Sequence, residues 1–304
     1  MLTPGLSGPG KLATVRIRMI ALVALIAVSA AAALAGSAGA AKRPARIVGG
    51  ATAPAGTAPW TAALVAHNLS AQSGAYCGAT VASATTVITA AHCILEGPSQ
   101  FDVVTGRSVL SATDGQRLPA TSVDVDPAYR RDRMSHDAAV VHLGSPTTAP
   151  AIGIATAETA GLAAPGARLL LTGWGIVTNR DKAASDALRE ATVAVQGNRK
   201  CRMSYRQAFN GAQMICSTGG LPDACHGDSG GPLVSLDGPA PTLVGIVSFG
   251  GRRCGDSTSP GVYTRVSYES AFLARAVSRT PPPAPATGPV APGSQVGTSY
   301  GTIG

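Results

Sequence analysis

Residues 223–232 have the sequence Asp-Ala-Cys-His-Gly-Asp-Ser-Gly-Gly-Pro. Ser229 lies among glycines, which let the backbone turn tightly and let a second chain come close. A Gly-x-Ser-x-Gly sequence also occurs where a strand turns sharply into a helix and exposes a nucleophilic serine, and that arrangement requires a histidine after the serine. All five histidines precede Ser229, so the α/β fold with this turn is excluded.

The order of the remaining candidates selects one arrangement of nucleophile, base and acid. The order Asp, His, Ser needs an aspartate before its histidine, and the first aspartate, Asp102, follows both His67 and His92. The order His, Asp, Ser remains. His92 ends a β-prone run in the sequence Thr-Ala-Ala-His-Cys, residues 89–93, which makes it the candidate general base.

The acid that orients such a histidine must be buried and must hold one tautomer of the imidazole. Asp137 begins the apolar run Asp-Ala-Ala-Val-Val, residues 137–141, and is therefore predicted to be this acid. Seven other aspartates lie in more polar or turn-like sequence and are interpreted as ordinary solvated acids: Asp102, Asp114, Asp124, Asp126, Asp132, Asp181 and Asp186.

Six motifs in a fixed order resemble the chymotrypsin and trypsin family. They are Ile-Val-Gly-Gly (47–50), Thr-Ala-Ala-His-Cys (89–93), Asp-Ala-Ala-Val-Val (137–141), Gly-Trp-Gly (173–175), Gly-Asp-Ser-Gly-Gly-Pro (227–232) and Pro-Gly-Val-Tyr (260–263). The resemblance extends from Ile47 to about Ser278. It implies an all-β fold of two six-stranded antiparallel barrels with a C-terminal helix, the catalytic residues in the cleft between the barrels, and serine endopeptidase activity through an acyl-enzyme.

The same resemblance assigns the substrate-binding residues. The backbone N–H groups of Gly227 and Ser229 would form the oxyanion hole. Asp223, six residues before Ser229, would lie at the floor of the specificity pocket and select arginine or lysine. Ser248, Gly250 and Gly261 match further positions of this pocket, and the two glycines would leave room for a long side chain.

The resemblance also predicts activation by cleavage between Arg46 and Ile47. The new amino group of Ile47 would fold inward and pair with Asp228, the acid beside the nucleophile, because a buried carboxylate needs a compensating partner. Arg46 is itself a residue type that a pocket containing Asp223 would accept. The chain is therefore expected to be able to activate copies of itself.

The termini predict export. Lys11, Arg16 and Arg18 precede an apolar run from about residue 19 to 34 and then small residues, the pattern of a cleaved signal peptide. An uncleaved membrane anchor is the alternative, although the run is short for one. We predict a signal peptide at 1–40, a propeptide at 41–46, the protease domain at 47–278 and a flexible Pro/Ala/Gly-rich tail at 279–304, whose composition also suits a linker.

Composition narrows the partners. Six of the eight excess positive charges lie in residues 1–46, so the remaining net charge of +2 gives no reason to expect nucleic-acid binding. The expected partners are protein and peptide substrates and protein protease inhibitors, with no membrane contact after signal removal, and the secreted protein is expected to be a monomer. No cofactor or metal is predicted, since residues 109–117, where the family holds calcium, contain only Asp114.

The six cysteines and the hydrophobic pattern agree with an exported all-β protein. An even number of cysteines predicts three disulfides, and local spacing favours pairing Cys77 with Cys93, Cys201 with Cys216 and Cys225 with Cys254, pairs that the family also uses. Short β-prone runs at 62–66, 81–89, 168–172 and 243–249 are separated by turn residues. The single predicted helix covers 267–277.

Two other functions fit the same motifs. A catalytically inactive relative could bind a partner through this fold, but such chains usually lose one of the three catalytic residues, and all three are present. A protease could also prefer apolar side chains, but Asp223 argues against that preference.

Overall fold

The computed structural model describes residues 47–94, 97–181 and 183–280. The predicted signal peptide and propeptide, including Arg46, and residues 281–304 of the predicted tail lie outside the described residues. The strands are β1 Ala51–Thr52, β2 Thr61–Ala66, β3 Ala75–Ser83, β4 Thr86–Thr89, β5 Phe101–Thr105, β6 Gln116–Val125, β7 Ala139–Leu143, β8 Gly153–Ile154, β9 Arg168–Gly173, β10 Arg189–Gln196, β11 Met214–Ser217, β12 Pro232–Ser235, β13 Thr242–Phe249 and β14 Val262–Arg265.

The first barrel consists of strands β2 to β7. Their pairing order, β2-β3-β4-β7-β6-β5, closes because β5 pairs back onto β2, and every pair is antiparallel. Strands β4 and β7 are buried along their whole length, as expected for runs of Val and Ile inside a barrel wall. The predicted run 81–89 is a hairpin of two strands, since the chain turns at Ala84 and Thr85.

The second barrel consists of the six strands β9 to β14 and shares no strand with the first barrel. It closes in the order β9-β10-β11-β14-β13-β12, because β9 pairs with both β10 and β12. The short strand β1 adds to β10, and β8 runs parallel to β13. The prediction of two six-stranded antiparallel barrels is confirmed.

The barrels approach each other closely at two glycines. A Cβ atom on Gly78 of β3 would lie only 2.7 Å from the Cα of Gly231, so no larger residue fits there without a shift. The Gly78 N–H donates to the Ser229 carbonyl at 2.7 Å, and the hydroxyls of Thr61 and Thr172 are 2.8 Å apart. These contacts fix the Ser229 segment against the first barrel.

Helices are few, as predicted, but not limited to the C-terminal one. The C-terminal helix, here called α3, covers Val266–Ser278 and buries Val266, Glu269, Leu273 and Ala276 on one face. Two short helices were not predicted: α1, Ala71–Gly74, and α2, Asn198–Tyr205. Helix α2 is too polar to show an apolar stripe, and its Cys201 is bonded to β11. Within the described residues, no helix is long and apolar enough to cross a membrane.

Three disulfides join the cysteines in the pairs that spacing favoured. The bonds are Cys77–Cys93, Cys201–Cys216 and Cys225–Cys254, with Cα–Cα distances of 6.2, 6.0 and 5.4 Å. Each closes a loop of modest length, for which the chain-entropy model gives roughly 3 kcal/mol of stabilisation. Two of them hold candidate site segments, since Cys93 follows His92 and Cys225 lies close to Ser229 in sequence.

Candidate active site

His92 lies in a single turn of 3-10 helix, Ala91–Cys93, that follows β4. Its backbone N–H donates to Asp137 Oδ1 at 2.9 Å, and its ring Nδ1 lies 2.8 Å from Asp137 Oδ2. The carboxylate therefore holds both the main chain and the ring of the histidine. With Nδ1–H donating to Asp137, Nε2 is left as an acceptor, which is the tautomer that a general base requires.

Asp137 is completely buried just before β7, yet its carboxylate has several donors. Besides the two from His92, the Ser248 hydroxyl donates to Oδ2 at 2.5 Å. The Thr264 hydroxyl donates to the Asp137 main-chain carbonyl at 2.9 Å. Ser248 and Thr264 belong to the second barrel, so hydrogen bonds from the second barrel hold Asp137 of the first barrel in place.

Ser229 lies in a tight turn that only glycine neighbours allow. Gly230 has a φ of +77°, and a side chain there would collide with Thr89 and with the Gly78 carbonyl. The described residues show no hydrogen bond between the Ser229 hydroxyl and His92. Such contacts are often long without substrate and shorten only in the reacting complex.

The backbone around Gly227 leaves two N–H groups available beside Ser229. The His226 carbonyl accepts from the Ile176 N–H at 2.8 Å. Because a trans peptide directs its C=O and N–H to opposite sides, the Gly227 N–H faces away from Ile176. Across residues 47–94, 97–181 and 183–280, neither the Gly227 nor the Ser229 N–H donates to a protein acceptor. Gly227 has a φ of +92°, which strongly favours glycine.

A cavity of about 260 Å³ connects the candidate nucleophile with the candidate specificity residues. Its lining includes Asp223, Ser229, Ser248, Gly250 and Gly261. A Cβ atom on Gly250 would lie 3.9 Å from the Gly261 Cα, so the two glycines face each other. Side chains at both positions would narrow the space between them.

Asp223 lies in the wall of this cavity, and one of its carboxylate oxygens accepts no hydrogen bond from the described residues. The residue is only 4% exposed. Its Oδ2 accepts from the Gly255 N–H at 2.9 Å, while its Oδ1 has no hydrogen-bond partner among the described residues. Burial raises the pKa of Asp223 to about 6, against the opposing effect of the Gly255 and Ala224 backbone N–H groups. A cation that reached Oδ1 would favour the ionised form.

Asp228, the acid beside Ser229, is completely buried. It accepts from the Gly175 N–H at 2.8 Å and from the Cys225 N–H at 2.9 Å. Burial raises the pKa of Asp228 to about 6, and these two backbone donors only partly offset the effect. Both donors are uncharged.

The start of the predicted protease domain packs against the segment that contains Asp223. Ile47 is completely buried, and the Val48 carbonyl accepts from the Asp223 N–H at 3.0 Å. A Cβ atom on Gly49 would lie 2.8 Å from the Leu221 Cβ. Residues 47–50 and 221–223 are therefore in direct contact, which brings the predicted activation sequence to the predicted pocket.

Two of the aspartates interpreted as solvated are buried, so that interpretation was wrong for them. Asp102 lies in β5 and pairs with Arg117 Nε at 2.7 Å and His67 Nδ1 at 3.0 Å. Asp126 lies near Glu269 and His136. In both cases the partner is distant in sequence, so local polarity could not reveal it. The contacts of Ser248 and Thr264 with Asp137 were missed for the same reason.

Comparison with known proteins gives consistent matches over the folded region. Residues 47–273 match the family model described as Trypsin. A protein named Trypsin from Saccharopolyspora erythraea is 37% identical over 225 residues, which cover 72% of this chain and 93% of that relative. Trypsin iota from Drosophila melanogaster is 32% identical over 77% of this chain and 89% of its own length. Serine protease 56 from Homo sapiens is 32% identical, but the match covers only 39% of that protein.

Proposed function

The chain belongs to the trypsin family of serine endopeptidases, and from this premise we propose that it cleaves peptide bonds after arginine or lysine. His92, Asp137 and Ser229 are its catalytic residues. The enzyme is secreted, and cleavage after Arg46 activates it. The observation that carries the proposal is one cavity lined by both Ser229 and Asp223.

The chemistry follows from the hydrogen bonds of His92. The Ser229 hydroxyl attacks the substrate carbonyl and passes its proton to His92 Nε2, while Asp137 stabilises the resulting imidazolium. The N–H groups of Gly227 and Ser229 stabilise the negative oxygen of the tetrahedral intermediate. His92 then protonates the leaving amine, and an acyl-enzyme remains. Water, deprotonated by His92, attacks the ester and releases Ser229.

The preference for basic side chains rests on Asp223. Its unpartnered Oδ1 supports a role as acceptor for a guanidinium or ammonium group. Gly250 and Gly261 leave space for the long stem of such a side chain. An apolar side chain would leave the buried Oδ1 without a partner, whereas a cationic one would offer it a donor.

Activation rests on Asp228 and Ile47. In the proposal, cleavage after Arg46 creates an ammonium at Ile47 that pairs with the buried Asp228 carboxylate. The uncharged partners of Asp228 and the burial of Ile47 support this pairing. The contact of Val48 with Asp223 supports a route by which the pairing orders the pocket. The basic and apolar sequence at residues 11–34 supports export.

The test uses the enzyme beginning at Ile47 with matched fluorogenic peptidyl amides ending in Arg, Lys, Phe or Ala. We expect kcat/KM for Arg and Lys to exceed that for Phe and Ala by at least about a hundredfold. A Ser229→Ala enzyme is the control for contaminating protease. A serine-directed phosphonate should label the active enzyme at Ser229 and not the control. Preference for Phe, or labelling of another residue, would contradict the proposal.

A further inference from the structure

A second cluster of ionisable groups lies outside the cavity, where β6, the turn before β7 and helix α3 meet. Asp126 directly follows β6, His136 precedes Asp137, and Glu269 projects from the first turn of α3. His136 Nδ1 lies 3.2 Å from Glu269 Oε1 and 3.9 Å from Asp126 Oδ2. One ligand atom from each residue falls within 4.8 Å of the other two.

The two carboxylates of this cluster are buried with little to neutralise them. Glu269 is 3% exposed and Asp126 is 6% exposed. Glu269 Oε2 lies 3.3 Å from His136 Nδ1 in a hydrogen bond, whereas Glu269 Oε1 has no hydrogen-bond partner among the described residues. Asp126 Oδ1 accepts from the Ala128 N–H at 2.8 Å. Two buried acids that share one imidazole form a site suited to a cation.

We propose that Asp126, His136 and Glu269 bind one Zn²⁺ ion. Zinc accepts imidazole nitrogen and carboxylate oxygen in tetrahedral sites with three protein ligands and one water. The imidazole argues against Ca²⁺ and Mg²⁺, which prefer oxygen ligands only. The side chain of His136 is 21% exposed, so an ion and its water can enter from that side. This site is separate from the proposed protease function and does not depend on it.

The groups around His136 suit a metal ligand. Gln213 Nε2 lies 2.9 Å from His136 Nε2, on the opposite edge of the ring from the carboxylates. When Nδ1 binds a metal, Nε2 carries the proton and needs an acceptor. A rotation of the Gln213 amide places its oxygen there, because the two orientations occupy the same space. The Tyr268 ring, 5.6 Å from the imidazole, limits movement of His136.

The ion would connect three elements that are far apart in sequence. His136 has a φ of +53°, and its carbonyl accepts from the Ala138 N–H at 2.8 Å, so it occupies a constrained turn just before β7. Binding to His136, Asp126 and Glu269 together would fasten this turn and the end of β6 to helix α3. A ligand that binds only the folded state raises its stability. The site is therefore expected to stabilise the docking of α3.

The test measures zinc binding to the chelator-treated Ser229→Ala protein, which cannot digest itself. Calorimetric titration with ZnCl₂ should give one ion per chain, and excess zinc should raise Tm by several degrees. His136→Gln and Glu269→Gln each remove a zinc ligand and should each weaken binding at least about a hundredfold. Removing a residue that only hydrogen-bonds to a ligand typically weakens metal binding about 10- to 100-fold, so loss of the ligand itself should reach at least the upper value. Gln213→Leu should weaken it about tenfold by removing the acceptor for His136 Nε2.

Two histidine variants are the controls. His67→Gln removes an exposed histidine that pairs with Asp102, and His92→Ala removes the imidazole of the proposed active site. Both should retain full zinc binding. His136→Gln is the decisive variant if Glu269→Gln does not fold, because His136 is partly exposed, and near-UV circular dichroism checks the fold of each. Absence of zinc binding, equal binding by His136→Gln, or tighter binding of Ca²⁺ would overturn the proposal.

Discussion

The two barrels contribute very different halves to the candidate site. The first barrel presents His92 and Asp137, whose carboxylate is satisfied by the His92 main chain, the His92 ring and the Ser248 hydroxyl. The second barrel presents Asp223 and Asp228, two buried carboxylates that, within the part of the chain that the structure describes, accept hydrogen bonds only from backbone N–H groups. Burial raises the pKa of Asp223 and of Asp228 to about 6.

This difference indicates that the two barrels have separate roles, one in proton transfer and the other in substrate choice and activation. The candidate base His92 and the candidate acid Asp137 already have hydrogen-bond partners for the Asp137 carboxylate. Among the described residues, neither Asp223 nor Asp228 has a cationic partner. In our proposal Asp223 receives one from the substrate, and Asp228 receives one from the new amino group of Ile47. His92 and Asp137 of the first barrel would then serve proton transfer, and Asp223 and Asp228 of the second barrel would determine on which substrates and when the reaction occurs.

The largest effect on activity should follow from a substitution in the His92–Asp137 pair of the first barrel. Asp137→Asn should lower kcat on arginyl amides by on the order of 10⁴-fold, because an amide N–H facing Nδ1 favours the wrong imidazole tautomer. Steady-state kinetics checks this. The matched control is Asp124→Asn, which changes another carboxylate 2.8 Å from a histidine, His142, but outside the cavity. A loss of less than tenfold at Asp137, or an equal loss at Asp124, would contradict the assignment.

Removing the acceptor in the pocket should have the next largest effect. Asp223→Ser should lower kcat/KM on arginyl and lysyl substrates by at least about a hundredfold, since removing one partner of a buried charge pair costs about 2 to 5 kcal/mol. Hydrolysis of an apolar substrate should change much less, which separates loss of specificity from loss of folding. An unchanged preference for arginine would refute the role of Asp223.

A cavity at Ile47 should impair only the part of the site that contains Asp223 and Asp228. Ile47→Gly, in enzyme cut after residue 46, removes a completely buried side chain. Loss of such a side chain typically costs about 2 to 5 kcal/mol, so insertion of the new terminus should become less favourable and activity should fall at least about tenfold. Activity per active-site-titrated enzyme measures this effect. Full activity in this variant would show that Ile47 burial is not needed.

The smallest expected effect is a pH dependence of cation binding. The pKa of Asp223 is raised to about 6 by burial, so the empty carboxyl gains its proton as pH falls through 6. An aryl amidine must displace that proton and should bind about tenfold more weakly at pH 5 than at pH 7. Titration of the mature enzyme by fluorescence or calorimetry measures the affinity. Asp223→Asn should remove the dependence; affinity that is constant between the two pH values would speak against the raised pKa.

The sequence predicted those features that local pattern encodes. The positions of His92, Asp137 and Ser229 along the chain selected one catalytic order, and short β-prone runs indicated an all-β fold. The predicted helix at 267–277 lies within one residue of the observed bounds at each end. Cysteine spacing favoured the three pairs that are bonded.

The features that the sequence did not reveal depend on distant partners. Asp102, in the largely apolar run 101–104, and Asp126, before Pro127, become buried beside Arg117 and Glu269. Ser248 was assigned only to the pocket, although its hydroxyl also holds Asp137. Such contacts arise from the closure and approach of the barrels, and no periodicity of the chain reports them.

The most direct test of the account compares activity before and after the activating cut. Purified Arg46→Gln precursor and the same enzyme beginning at Ile47 are assayed with one arginyl amide. We expect activity in the cut enzyme and at least about a thousandfold less activity in the uncut one. In the uncut enzyme Asp228 has no cation to pair with, so the substrate-binding pocket is not ordered. Equal activity of the two forms, or no hydrolysis by the enzyme beginning at Ile47, would contradict this account.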